Sequence, residues 1–111
     1  MSLIKITTAS TVDMSTITLT TGTWIVAGAL RFPYVNTTGK RAVIIDVSGS
    51  DNNSYCYESN TAAMNSSTTC YVSLIRAVIV SGTSATVTLR GYQSSGSDCT
   101  PNAGFLRAYK I

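Results

Sequence analysis

Short runs of alternating apolar and polar residues, separated by glycine, serine, threonine and asparagine, fill most of the chain. A period of two is that of a β-strand, and no long run shows the 3.6-residue period of a helix. About eight such runs predict an all-β fold, specifically an antiparallel jelly-roll sandwich of about eight strands. The predicted strands are residues 3–8, 15–21, 23–32, 41–49, 55–58, 68–80, 85–93 and 105–111.

Turn-forming residues divide these runs. Thr21-Gly22 predicts a turn between the second and third strands, and "SGTS" (81–84) predicts a hairpin turn before the seventh. Pro33 ends the third strand, because proline has no amide hydrogen to donate to a sheet. A chain of this length suggests one domain. We therefore treat residues 1–111 as a single jelly-roll domain with a short N-terminal strand or arm, residues 1–14.

The strand Tyr71–Val80 differs from the others because both of its faces are apolar. Ile75, Ala77 and Ile79 form the charge-free face, and an arginine interrupts the other. Since a lone arginine is rarely tolerated in a core, the sequence predicts that the charge-free face is buried. The opposite face is then predicted to contact a partner; it consists of Leu74, Arg76, Val78 and Val80. Alternatively, a loop or the N-terminal strand of the same chain covers it.

The predicted core combines the inward positions of all these strands. It consists of Trp24, Val26, Leu30, Phe32, Val43, Ile45, Ile75, Ile79, Val87, Leu89 and Leu106.

Charged residues make up only 12% of the chain, about half of the usual ~25%, and the net charge is +3. The basic residues are scattered and form no patch interleaved with aromatic rings, so nucleic-acid binding has no support. No apolar run approaches the ~18 residues of a membrane span, and the N-terminus lacks the apolar run of a signal peptide. The sequence thus predicts a soluble chain made in a cytosol, with no membrane partner.

The residue types needed for catalysis are scarce. The chain has no histidine, which excludes Ser/His/Asp and Cys/His triads and histidine-containing zinc sites. A pair such as Asp51 and Glu58 could in principle flank a glycosidic bond, but the sequence gives no sign that either is buried, and two solvated loop carboxylates are the much stronger interpretation. No cofactor motif is present. We therefore predict no enzyme activity, no metal and no cofactor.

The three cysteines are odd in number and lack the spacing of metal ligands. In a reducing compartment, buried free thiols are expected. A Cys56–Cys70 disulfide remains an alternative if the two strands are neighbours.

Tyrosines near asparagines suggest a glycan-binding surface. Tyr55 and Tyr57 would share a strand face close to Asn52 and Asn53. Aromatic rings can stack on sugar rings while amides bind hydroxyl groups. The alternative is that both tyrosines pack across the sheet, as aromatic residues in strands usually do.

The order of segments resembles a known family of modules. A Thr/Ser-rich start leads into "TGTWIVAGALRFP", and a later apolar strand is followed by "ATVTLRGYQSSGS" and finally by "FLRAYKI". Together, over residues 20–111, these segments resemble the C1q/TNF-like jelly-roll modules of tailed-phage virion proteins. In size and style the chain is most similar to the capsid decoration (staple) proteins of epsilon-fifteen-like podoviruses, while such modules also form the tips of trimeric tail fibres.

This resemblance implies a virion protein on the capsid exterior, made in the host cytoplasm. The expected function is capsid decoration, in which a homo-oligomer, dimer or trimer, clamps subunits of the major coat protein from outside. The strand Leu3–Thr8, with open edge groups, could add to a coat-protein sheet. The alternative is a tail-fibre tip that binds a host surface glycan through Tyr55 and Tyr57.

Overall fold

The chain folds as an antiparallel all-β protein in a computed structural model that describes residues 1–33, 39–51, 56–61 and 70–111, with backbone only for 56–61 and residue 70. The strands are β1 (Ser10–Phe32), β2 (Arg41–Ser48), β3 (Cys56–Thr61), β4 (Cys70–Gln93) and β5 (Ala103–Lys110). They form one sheet in the order β3-β2-β4-β1-β5. The predicted fold class is confirmed at this level. Among the described residues there is no helix of the length and apolarity needed to cross a membrane.

Two very long strands organise the sheet. β1 and β4 pair with each other from Ser10–Gln93 at one end to Phe32–Cys70 at the other. β2 adds only to residues 86–93 of β4, whereas β5 adds only to residues 24–31 of β1. The sheet therefore has two parts. The β2 half contains β3, β2 and the paired residues 84–93 and 10–20; the β5 half contains β5 and the paired residues 70–80 and 22–32.

Bulges, and not turns, lie between the two halves. The register of β1 against β4 shifts between Thr20 and Gly22, which pair with Ser84 and Val80 respectively. Gly22 has a φ of 145°, a conformation that favours glycine. The predicted turns at Thr21-Gly22 and 81–84 are therefore wrong: both strands continue and bend together. Glycine, serine and threonine suit a bulge at a sheet corner as well as a hairpin turn, so composition does not distinguish them.

The bent sheet packs against itself. A Cβ atom added to Gly28 of the β5 half would lie 2.8 Å from Leu89 Cδ1 of the β2 half and 3.3 Å from Ile45 Cδ1. One added to Gly91 would lie 2.7 Å from Leu30 Cδ1. These glycines let the two halves approach closely, and the core lies between the halves.

The confirmed members of the predicted core are Val26, Leu30, Phe32, Val43, Ile45, Val87 and Leu89, all buried, with Trp24 and Leu106 partly buried against them.

The bulges also change which side chains face the core. In β1, the inward-facing residues include Met14, then Leu19, then Val26, so their residue numbers change from even to odd and back to even along the strand. Register shifts lie between Asp13 and Ser15 and between Thr20 and Gly22, the places where the alternation changes. An extra residue in one strand moves every following side chain to the opposite face of the sheet. Strict alternation therefore holds only between bulges.

The strand Tyr71–Val80 is oriented opposite to the prediction. Val78 is 0% and Val80 2% exposed, whereas Ile75 is 68% and Ile79 46% exposed. The predicted burial of Ile75 and Ile79 is wrong. So is the predicted outward face, because its members point toward the β2 half; they are Leu74, Arg76, Val78 and Val80.

The prediction failed because it treated arginine as incompatible with the core. Arg76 is only 7% exposed and lies opposite Val26 in the register. It takes part in polar or electrostatic contacts, as does the fully buried Arg41. A long aliphatic stem can lie among apolar side chains while the guanidinium group reaches a polar partner. A strand face that contains one arginine can therefore still be buried in the core.

Residues 1–9 do not form the predicted strand Leu3–Thr8. Isolated hydrogen bonds, and not a continuous strand pairing, attach this segment to the rest of the fold. Ile6 forms one isolated bridge with Cys99, and residues 10–14 of the predicted arm already belong to β1. The buried Gln93 side chain fixes this region, since its Nε2 donates to the carbonyl oxygens of Ile6 and Ser97 at 2.8 and 2.7 Å. Cys99 is buried and its thiol forms no disulfide, as predicted. The side chains of Cys56 and Cys70 lie outside the described residues.

Candidate functional site

The outer surface of the β5 half is a sheet face with few polar groups. Its rows follow from the strand register, in which Ala77, Ile25 and Tyr109 align across the three strands and Ile75, Ala27 and Arg107 align beside them. We call this surface the outer apolar face. It consists of Tyr71, Ile75, Ala77 and Ile79 of β4, Ile25, Ala27 and Ala29 of β1, and Phe105 and Tyr109 of β5.

Large apolar side chains project from this face into solvent. Tyr71 is 58%, Ile75 68% and Tyr109 57% exposed, whereas Ala27 and Ala29 supply a low central strip on β1. Because larger side chains on β4 and β5 flank these alanines, the face has a shallow depression along β1. Isolated exposed apolar residues are ordinary, but a continuous group on one side of a sheet usually indicates contact with another molecule. The outer apolar face is therefore the candidate functional site.

Two arginines border the outer apolar face. Arg31 Nε donates a hydrogen bond to Asn102 Oδ1, and its guanidinium carbon lies 5.9 Å from the centre of the Tyr71 ring. The guanidinium carbon of Arg107 lies 5.1 Å from the centre of the Phe105 ring. Such cation–π contacts hold both groups at the surface in defined positions. The border of the face is thus positively charged.

The outer surface of the β2 half has a different composition. We call it the hydroxyl face, and it is formed by the cross-strand pairs Thr16–Thr88 and Thr18–Thr86. The hydroxyl oxygens of Thr16 and Thr88 are 3.5 Å apart. Hydroxyl groups of this kind are easily solvated, so the hydroxyl face needs no partner.

Ion pairs complete the hydroxyl face. Arg90 lies between two carboxylates: its Nε is 2.7 Å from Asp13 Oδ1 and its Nη1 is 2.8 Å from Asp46 Oδ2. Both carboxylates therefore have a cation in the same chain.

The described residues include no group of three or more metal-ligating side chains that lie together, and no pocket is present among them. Asp51 accepts a hydrogen bond from the Ser81 hydroxyl at 2.6 Å. Glu58 lies on β3 opposite Ile44, and its side chain is outside the described residues. The structure thus brings no second carboxylate to Asp51 among the described side chains.

The predicted glycan-binding residues fall where side chains are not described. Asn52, Asn53 and Tyr55 lie outside the described residues, and Tyr57 is located by its backbone alone, opposite Ile45 in the register. Sequence reasoning identified the strand with two apolar faces but assigned them in reverse. The spacing from Val80 to Ala85 could have corrected this assignment. The two residues are an odd number of positions apart, so both can face inward only if a bulge lies between them.

Comparisons with known proteins add no relative: no protein-family model matches the chain, and no curated protein sequence matches it.

Proposed function

We propose that this chain is a non-catalytic docking protein of a phage virion, and that it attaches to the capsid exterior through the outer apolar face. The observation that supports this most is the exposure of Ile75 and Ile79 on the outer apolar face, on either side of Ala77, which pairs with Ile25. Burying an aliphatic side chain is worth ~1.5–3 kcal/mol. Three such side chains would stabilise a contact by several kcal/mol before the cost of association.

The virion assignment comes from the resemblance of residues 20–111 to phage jelly-roll modules. We propose that the bent antiparallel sheet is the described part of such a jelly roll. In this proposal, the partner is the major coat protein, and copies of the chain assemble as a dimer or trimer that clamps neighbouring coat subunits. Contacts repeated over many copies would stabilise the shell even if each were weak.

The test is co-sedimentation of the purified protein with empty capsid shells of the phage that encodes it. Ile75→Asp places a charge in the proposed contact, and because Ile75 is 68% exposed the variant should fold. We expect it to bind at least about tenfold more weakly, since burying an uncompensated charge is costly. Thr18→Asp on the hydroxyl face is the matched control and should bind as the parent does.

Equal binding by the parent and both variants would contradict the docking role of the outer apolar face. A parent protein that does not bind shells, but selectively binds a host surface glycan in an array, would favour the tail-fibre alternative. In that case Tyr57→Ala should abolish glycan binding.

A further inference from the structure

We infer that the surface that binds the outer apolar face is acidic, with carboxylate side chains that pair with Arg31 and Arg107. The inference rests on the proposed function and specifies the chemistry of the partner. It follows from the distribution of charge over the two halves of the sheet.

Both arginines lie on the outward side of the β5 half. Arg31 is aligned with Tyr71 across β1 and β4, and Arg107 is aligned with Ala27 across β5 and β1. They therefore border the outer apolar face at different rows. Arg107 lies in the row of Ile75, and Arg31 lies in the row of Tyr71, so a partner that covers both rows meets both guanidinium groups.

No described carboxylate neutralises these two arginines. Asp13 and Asp46 pair with Arg90 in the β2 half, and Asp98 pairs with Lys5 at 3.4 Å near the N-terminus. Asp51 is hydrogen-bonded to Ser81 at the bend. The polar contacts of Arg31 and Arg107 are instead an amide oxygen and aromatic rings. Both retain free hydrogen-bonding capacity, because a guanidinium group has five N–H donors.

An apolar partner without acidic groups would fit this surface poorly. Covering a guanidinium group removes it from water, and that cost is recovered only when the partner provides acceptors. A carboxylate matches the planar fork of arginine with two parallel hydrogen bonds. The rings of Tyr71 and Phe105 already hold the two groups in place, which lowers the entropy lost on pairing. The expected partner surface therefore has an apolar centre and carboxylates at its rim.

Two other occupants fit less well. A second copy, docked face to face, would bring two more arginines and no described carboxylate from its own outer apolar face. An anionic membrane would supply negative charge, but surfaces that bind anionic lipid cluster roughly 4–8 basic side chains, whereas Arg31 and Arg107 are the two that border this face. The acidic protein surface is the occupant that matches both the apolar centre and the charged border.

The experiment measures the affinity of the protein for the empty capsid shells at low and high salt. Arg107→Glu should weaken binding by about tenfold or more at low salt, and the parent's own affinity should fall as salt rises. Arg107→Lys keeps the charge but not the planar fork, so it should weaken binding by less than Arg107→Glu does. Lys40→Glu is the control, because it makes the same change of charge beside Tyr92 of the β2 half, and it should change affinity by less than about twofold. Chemical unfolding of each variant confirms that it is folded.

The outcomes separate the two proposals. If the parent binds and Ile75→Asp does not, while Arg107→Glu and salt have no effect, the docking face stands and the acidic partner is wrong. If the parent does not bind shells, both proposals fail. Light scattering that shows self-association abolished by Ile75→Asp, with shell binding unchanged, would assign the face to a second copy. Equally tight binding to phosphatidylglycerol vesicles would assign it to anionic lipid.

Discussion

The two outer faces of the sheet belong to the same pair of long strands, yet they differ in chemistry. On the β2 half, β1 and β4 present threonines that align as Thr16–Thr88 and Thr18–Thr86. On the β5 half, the same strands present Ile25 opposite Ala77 and Ala27 opposite Ile75. The two strands are continuous through the bend, so the difference comes from the side chains alone. One face is suited to water, whereas the other exposes apolar side chains to it.

The comparison also shows how bulges change which side chains of one strand face the core and which face outward. In β4, even-numbered residues face the core up to Val80, and odd-numbered residues face it from Ala85 onward. The change occurs where the register shifts. A strand with two apolar faces is therefore compatible with a stable domain if one of those faces is covered by another molecule. Three pairs of substitutions test this account within the isolated protein.

The largest expected difference is between two adjacent residues of β4. Val78→Asp places a carboxylate in the core, because Val78 is 0% exposed, and should destabilise the protein by about 4 kcal/mol or prevent folding. Ile79→Asp should change the free energy of unfolding by less than about 1 kcal/mol, since Ile79 is 46% exposed. Urea unfolding measures both. Similar stabilities for the two variants would mean that the assignment of inner and outer faces is wrong.

A smaller difference is expected for two glycines. Gly28→Ala adds a methyl group 2.8 Å from Leu89 Cδ1, between the two halves, and should cost about 1–3 kcal/mol by overpacking. Gly82→Ala adds one where no atom lies within 4 Å, so its effect on unfolding should be close to zero. If Gly28→Ala is as stable as the parent, the halves do not pack as closely as described.

The smallest expected effect concerns the ion pairs of the hydroxyl face. Asp46→Asn removes one of the two carboxylates that contact the half-buried Arg90 and should cost up to about 1 kcal/mol, less at high salt. Asp98→Asn breaks the more exposed pair with Lys5 and should have no measurable effect. Thermal unfolding at two salt concentrations compares them. A loss that does not change with salt would indicate that Asp46 acts through packing and not through charge.

The elements that sequence predicted well are those between the bulges. Alternation placed Val43, Ile45 and Val47 inward on β2, and Val87 and Leu89 inward on β4, as the structure has them. The residues that join these segments were misread. A glycine next to serine or threonine marks a local distortion of a strand, and it does not show whether the chain reverses or only bends.

The exposed apolar face was predictable in kind but not in position. The two apolar faces of the strand Tyr71–Val80 indicated that one of them lies outside the core, and the exposed one includes Ile75 and Ile79. Its assignment depended on Arg76, whose burial is set by neighbours that are distant in sequence, such as Val26. The contributions of β5 could not be predicted either, because the alignment of Tyr109 with Ile25 exists only once the strands have paired.

The most direct test of the docking account is protection of the outer apolar face in the assembled state. Cysteines introduced as Ala77→Cys and Thr18→Cys report on the two outer faces, since both positions are exposed in the free protein. Each variant is alkylated free and bound to empty capsid shells, and the modified peptides are quantified by mass spectrometry. The account predicts that binding protects Cys at position 77 and leaves position 18 reactive. Protection at position 18 with position 77 still reactive would contradict it.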